Sequence, residues 1–312
     1  MIVVAGESLI DLLVRPDGSV AAVPGGGPFT TARTLGRLGA QASFLGRLSS
    51  DAFGRILRAA LEADGVDLGL APTTDDPTLL AVADIAADGS ATYRFHAIGS
   101  AAAGLSATDL PGGLPAAATA FHVGTLGLVL EPMADTIARL VAAAPPDVVV
   151  MIDPNCRQAA ITDEVAYRAR LGAVLRRADV VKVSVDDLAW LDPGRAELGA
   201  ARRLLGSGAA VVLVTDGSRP VRIVTERDVV ALHVPAVDVV DTIGAGDAFG
   251  AGFLAAWTRD GRGRSDLADP EAVIAATRFA IEVGARTATR AGADPPTLAE
   301  LLGTGPGPGR GL

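Results

Sequence analysis

"DTIGAGDAFGAGF", residues 241–253, decides how this chain is read. Gly244 and Gly246 lie where a loop runs into an Ala- and Phe-rich stretch of helical character, with Asp247 beside them. A helix start offers unpaired N–H groups and the positive end of a dipole, and so accepts phosphate. Glycines let a ligand approach the bare backbone. A carboxylate does not belong in a loop that only binds phosphate, because the two repel. The conflict disappears if Asp247 takes a proton from an attacking hydroxyl while the N–H groups hold the phosphoryl group in transfer. The segment then reads as a site for phosphoryl transfer to an alcohol. An aspartate serving as helix N-cap beside a glycine turn would leave the same residues, and the stretch alone leaves both readings open.

Two other phosphate motifs are excluded. No G-x-x-x-x-G-K-[ST] occurs, and "GAGDAFG" is one residue too long for G-x-G-x-x-G and does not follow the first strand. Lys182 is the only lysine. A GC-rich coding bias explains an arginine-rich chain, yet a retained lysine also marks a place where a compact ammonium is needed.

The rest of the chain sets the frame. At 312 residues with 49% apolar composition, one large α/β domain with an appendage is expected. A net charge of −9 argues against nucleic acid as a partner. The single cysteine, Cys156, excludes an internal disulfide and fits a reducing, cytoplasmic setting. The start, "MIVVAGESLIDLLV", lacks a basic leader, and no stretch is long enough for a membrane span.

Short β-branched runs at 2–6, 42–48, 119–124, 147–153, 179–184 and 209–217 alternate with helical stretches at 28–39, 51–64, 131–144, 163–177, 196–206, 245–258 and 270–289. That alternation predicts a mostly parallel sheet covered by helices. Residues 221–232 read as an antiparallel hairpin at the sheet edge. Residues 9–23 and 77–98 instead alternate apolar and polar around Asp-Gly turns, as half-exposed strands do, and predict a small β appendage. The tail 303–312 has the composition of a disordered terminus.

"VDTIGAGDAFGAGF" resembles the signature of the ribokinase-like (PfkB) sugar kinases. "GESLIDLL", "PGGGPFTTARTLGRLG", "DPNCR", "VKVSVDDLAWL", "VLVTDGS" and "ATRAGADPP" resemble that family's other landmarks in the same order, nearest the fructokinase and 2-keto-3-deoxygluconate kinase branches. The resemblance implies a three-layer α/β/α domain over 1–302 with a small β-sheet lid, and transfer of the ATP γ-phosphoryl group to a primary hydroxyl of a small sugar. By resemblance, Asp247 is the catalytic base, and the N–H groups of Gly244, Ala245 and Gly246 form the anion hole.

Sugar contacts are implied for Asp11, the Gly25-Gly26-Gly27 run, Thr30, Arg94 and Arg157, although Thr30 stands where the family usually has Asn. An outward-facing arginine is the commoner case for Arg94, in a lid strand. Lys182 and Ser184 fall beside the expected ATP phosphates, and Thr215, Asp216, Gly217 and Ser218 match the nucleotide-contacting turn. Ile281 stands where ribokinases have an adenine-contacting Asn. Asp187 takes the place of a glutamate that organises Mg²⁺ through water, a role a hydrated ion tolerates. Asp241, with the Ile243 carbonyl and loop 289–293, matches the region where relatives bind a monovalent cation such as K⁺.

Fructose is the expected sugar. "GSAAAGL" (99–105) keeps 2-keto-3-deoxygluconate as the alternative, since Ala102 replaces an aspartate frequent in fructokinases. A sugar- or nucleotide-binding sensor is the alternative of another class, with no need of Asp247. Free lid edges predict a homodimer. His96, His122 and His233 lack metal-ligand spacing, and Cys156 is read as structural.

Overall fold

The computed structural model describes residues 1–86, 91–110 and 112–304. In chain order the strands are β1 (Ile2–Ala5), β2 (Leu9–Val14), β3 (Val20–Gly25), β4 (Ala42–Leu45), β5 (Leu48–Ser49), β6 (Thr73–Thr74) and β7 (Leu79–Ile85). Then follow β8 (Ala91–His96), β9 (Ala120–Gly124), β10 (Val149–Asp153), β11 (Val180–Ser184), β12 (Val211–Asp216), β13 (Arg219–Val224) and β14 (Val229–Leu232).

Eight strands form the main sheet in the order β14-β13-β12-β11-β10-β9-β1-β4. Those from β12 to β4 run parallel, and β13 and β14 add the antiparallel edge hairpin that the sequence predicts. Side chains alternate between two cores, as the pleat requires. Ile2, Val4, Val149 and Met151 join one core with helices Gly27–Arg37, Ala52–Ala63, Ala245–Arg259 and Pro270–Thr287. Val3, Ala5, Val150 and Ile152 join the other, with helices Met133–Ala143, Glu164–Leu175 and Glu197–Gly206. Strands buried on both faces need no polar alternation, which explains their unbroken Val/Ile runs.

A second sheet, β3-β2-β7-β8, stands apart. It occupies the two segments whose alternation set them off, with β3 running on to Gly25. Its own small core is Leu9, Leu79, Ala81, Ala97, Ala102 and Leu126. The turn at Asp88-Gly89 and tail residues 305–312 lie outside the described residues. The short β5–β6 pair and the helices Val185–Leu191 and Leu298–Leu301 are among the features that carried no sequence expectation. No described helix is long and apolar enough to cross a membrane.

The chain runs from β1 to β4 on one side and returns past β1 to β9 on the other. The strand order therefore reverses between β1 and β9, and ligands of open α/β sheets bind beyond the carboxyl ends of the strands at such a point.

Candidate active site

Residues that follow or end the parallel strands gather at that edge. Glu7 follows β1, Thr125 follows β9, Asp153 ends β10, Ser184 ends β11, and Thr215 and Asp216 end β12. Helix Ala245–Arg259 begins there too, and its first turn settles the question that the sequence left open. Gly244 is the N-cap, in the left-handed region at φ 76°, and no side chain caps the helix. Asp247, the third helical residue, makes no side-chain hydrogen bond among the described residues and is not the cap. The Ala245 N–H turns back to the Thr242 carbonyl (3.2 Å), a correction to the expected donor set. Gly244 and Gly246 keep N–H groups without a backbone partner among the described residues.

The glycine run reaches this turn from the other side. A Cβ on Gly27 would lie 3.0 Å from Asp247 Oδ1, and one on Gly25 would collide with the Asp11 carboxylate. Gly26, at φ 109°, passes so close that a Cβ would stand 2.9 Å from the Glu7 carbonyl. Side chains at these places would fill the cleft where two carboxylates meet bare backbone. Thr30 is only 3% exposed, and its methyl would stand 3.1 Å from a Cβ on Gly244, so it packs behind the anion loop.

Lys182 lies beneath the loop. Its Nζ is 2.8 Å from Asp153 Oδ2 in a buried pair and 2.9 Å from where a Gly246 Cβ would be. Burial opposes the lysine charge, but Asp153 first, then Asp247 and Asp187, more than offset it and raise its pKa. Burial pushes Asp153 up to about 6 against the pull of Lys182, so the pair is ionised at neutral pH. Burial also raises Asp247, with Lys182 and Arg157 opposing, which makes it a stronger base than a free aspartate. His122, buried near Lys182, is held neutral with its pKa down to about 3.

In the second sheet, Asp11 pairs in register with Ala81 and Ala81 with Phe95, so these share one face; Leu13, Ala83 and Tyr93 continue it. Asp11 thus lies within β2, in the segment expected to form a half-exposed strand. Burial lifts it to about 6 while Arg157 pulls the other way. Arg157 is exposed and has no ion pair among the described residues. Arg94 stands opposite Val82 and Leu12, on the face away from Asp11. It is not brought to the sugar side. Strand parity from Asp11 could have found Tyr93 and Phe95, which sequence reasoning passed over.

Ser184 and Asp187 form a capping box for helix Val185–Leu191. Asp187 Oδ1 also accepts from the Cys156 N–H (2.7 Å). Asp187 remains partly exposed; Oδ2 accepts from both the N–H and the hydroxyl of Ser184, and Oδ1 keeps a lone pair, which suits a water-mediated contact to Mg²⁺ better than a tight cage. Among the described residues no three His, Cys, Asp or Glu side chains converge as a metal cage. Thr215 pairs with Ser184 across β11 and β12, and Gly217 (φ 52°) turns the chain through exposed Ser218 into β13. Asp241 accepts from Ile243 N (3.0 Å) and Gly292 N (2.9 Å), joining the loop before the helix to loop 289–293. Ile281 is a second correction: at 6% exposure it is a core residue between the last two long helices and offers no open wall. Cys156 contacts the Tyr167 hydroxyl (3.4 Å), and burial pushes its thiol up to about 12, consistent with a structural role.

An open helix start, an unengaged carboxylate beside it and a buried ammonium below it thus meet at one place on a ribokinase-like fold. The chain belongs to the pfkB family of carbohydrate kinases, whose family model matches residues 1–299. It is 34% identical to a fructokinase of Rhizobium leguminosarum bv. trifolii over 264 residues, 83% of this chain and 80% of that protein. The fructokinase of Xylella fastidiosa, solved with bound ATP, superposes with a TM-score of 0.88 at 28% identity, covering 97% of both chains. The fold also matches a Vibrio cholerae O395 fructokinase double mutant solved with fructose, ADP and potassium ion, with a TM-score of 0.87, 24% identity and 97% of both chains covered. This chain is accordingly a phosphotransferase that acts on a sugar hydroxyl.

Proposed function

We propose that the chain is a fructokinase in which Asp247 deprotonates a primary hydroxyl of fructose as that oxygen attacks the γ-phosphorus of ATP. The observation that carries this is the Asp247 carboxylate, free of side-chain hydrogen bonds among the described residues and facing Gly27 beside the Gly244–Gly246 turn. Asp11 and the Gly25–Gly27 backbone hold the sugar hydroxyls, and the hydroxyl proton passes to Asp247. The N–H groups of Gly244 and Gly246 face the transferring group, with the Lys182 charge beneath them, where negative charge builds up. Ser184, Thr215, Asp216, Gly217 and Ser218 hold the nucleotide. When bound through Asp187, Mg²⁺ neutralises phosphate charge. Asp241, the Ile243 carbonyl and loop 289–293 surround a monovalent cation, a reading that the potassium ion of the Vibrio structure supports. The second sheet acts as a lid that excludes water from the reaction.

Arg157, exposed without an ion pair, favours one further reading of the substrate, a sugar acid such as 2-keto-3-deoxygluconate whose carboxylate it would bind. The far face of the lid carries Leu12, Val14, Val82 and the 60% exposed Val20, and this supports a homodimer through that sheet. The setting we assign is cytoplasmic.

Sugar-dependent ADP release with MgATP tests the reading across fructose, 2-keto-3-deoxygluconate, ribose, glucose and tagatose. A strong fructose signal that disappears in Asp247→Asn supports it. A signal with the sugar acid alone moves the assignment to that substrate. Silence throughout with ATP still bound overturns the fructose assignment and leaves an untested sugar or a sensor. Light scattering that finds a monomer removes the dimer.

A further inference from the structure

Among the buried charged groups, Glu7 has no part in the scheme above. It is 1% exposed, and no Lys, Arg or His pairs with it among the described residues. We infer that Glu7 is a positioning residue of the phosphoryl transfer, tying the glycine loop to the turn after β9 and so setting where Gly27 stands against the base Asp247. This rests on the assignment of Asp247 as base.

Glu7 Oε1 accepts from the Thr125 hydroxyl (2.5 Å) and from the Gly27 N–H (3.2 Å), and Oε2 accepts from the Gly127 N–H (3.0 Å). One carboxylate therefore joins three segments across the point where the strand order reverses. Thr125 is held at φ 49°, an unfavourable conformation for a β-branched residue, in the place where its hydroxyl reaches Glu7. The methyl of Thr125 leaves Gly27 no room for a side chain, since a Cβ would lie 2.6 Å from it and 3.0 Å from Asp247 Oδ1. Glu7, Thr125, Gly27 and Asp247 thus form one contiguous stack.

Fastening the loops does not require a charge. Buried ionised groups are costly, and a well-packed apolar substitute is often as stable. The charge has a consequence for Asp247, the titratable group facing Glu7 from the helix. Burial first, and Asp247 further, push Glu7 up to about 7, with the Thr125 and Gly27 bonds opposing. Two like charges in one site titrate as a coupled pair, so removing one eases ionisation of the other.

Glu7→Gln keeps the shape but turns an amide N–H₂ toward one of the three donors and removes the charge. With the sugar that responds in the panel above, kcat is expected to fall roughly 10-fold with the KM for ATP within about twofold, as a displaced reacting group requires. In Asp247→Asn the Glu7 carboxyl should titrate at lower pH, because Glu7 loses a like-charged neighbour. Thr125→Ala, which deletes one donor, should lose part of the same kcat, and Thr125→Ser should restore it. Carboxyl ¹³C NMR titration of wild type, Glu7→Gln and Asp247→Asn reads the coupling without turnover, so that a failed sugar assignment stays distinct from a failed coupling. A Glu7 resonance titrating at lower pH in Asp247→Asn supports the proposal. An unmoved Glu7 titration in that variant, with any loss of kcat in Glu7→Gln matched by a loss of Tm, would make Glu7 structural only and overturn it.

Discussion

Glu7 and Glu300 accept the same number of hydrogen bonds and differ in almost everything else. Glu300 takes the N–H (2.7 Å) and the hydroxyl (3.0 Å) of Thr297, and Arg290 (2.7 Å), on a partly exposed surface near the C-terminus. The Thr297 N–H chiefly, with Arg290, holds it down at about 2. Glu7 has three donors and no cationic partner among the described residues, and burial pushes it up to about 7. Hydrogen bonds alone do not set a carboxylate's pKa; solvent and counter-charge decide. Asp11, Asp153 and Asp247 fall on the Glu7 side of this divide. These raised carboxylates gather at the proposed site, whereas Glu300 caps a helix away from it.

The comparison breaks most sharply at Asp247. Asp247→Asn should lower kcat by ~10²-fold or more while leaving sugar affinity nearly intact. Because burial raises this carboxylate, removing its charge should also make the folded protein more stable at pH 7.5. Steady-state kinetics and thermal melts on one preparation check both. A variant with wild-type turnover, or one that loses stability and activity together, removes Asp247 from the raised carboxylates.

Lys182→Met should be the next largest effect. It leaves Asp153 buried without its partner, a loss of about 3 kcal/mol by analogy with other broken buried pairs. It also takes a positive charge from beside Asp247, so the acid limb of kcat should move to higher pH. Pairing it with Asp153→Leu should recover much of the stability in urea unfolding but not the turnover. Recovery of both would make the ion pair mere packing.

These residues were not equally legible in the sequence. The buried strands, the helices and the second sheet could be read because their signals are periodic and local: Val/Ile runs for one sheet, alternation around Asp-Gly for the other. Asp247 was legible because a carboxylate in a phosphate loop is a chemical contradiction. Glu7 was not, since its partners are 20, 118 and 120 residues away and only the β1–β9 reversal brings them together. Arg94 and Ile281 were placed by motif position, which carries no strand parity and no burial. The Ala245 N–H was counted as free because a sequence does not show that Thr242 folds back onto it.

A third effect is spread over the whole site. Glu7 ionises ordinarily at 4.5 and the aspartates at 3.8, against about 7 for Glu7 and about 6 for Asp11 and Asp153 when folded. Between those limits the folded chain holds protons that the unfolded chain has released, so stability falls as pH rises from about 4 to 7. Denaturant unfolding from pH 4.5 to 7.5 should show that decline, and Glu7→Gln should flatten its upper part. A stability curve that rises over the same window would mean that burial does not raise these three groups.

The smallest effect belongs to the lowered carboxylate. Glu300 is lowered, so its contribution is complete above about pH 4.5 and drains away as pH falls toward 2. Glu300→Gln at pH 7 keeps one acceptor but loses the charge that Arg290 and the start of the Leu298–Leu301 helix favour. Most of that attraction is screened by water at a side chain 25% exposed, so the expected cost is no more than about 1 kcal/mol, or a Tm lower by about 2 °C. Turnover should be unchanged, because no bond from Glu300 reaches the β1–β9 edge. A Glu300→Gln enzyme with altered kcat would mean that the loop at 289–293, which Arg290 shares with Asp241 through Gly292, transmits to the anion turn. The line between structural and chemical carboxylates would then have to be redrawn to include it.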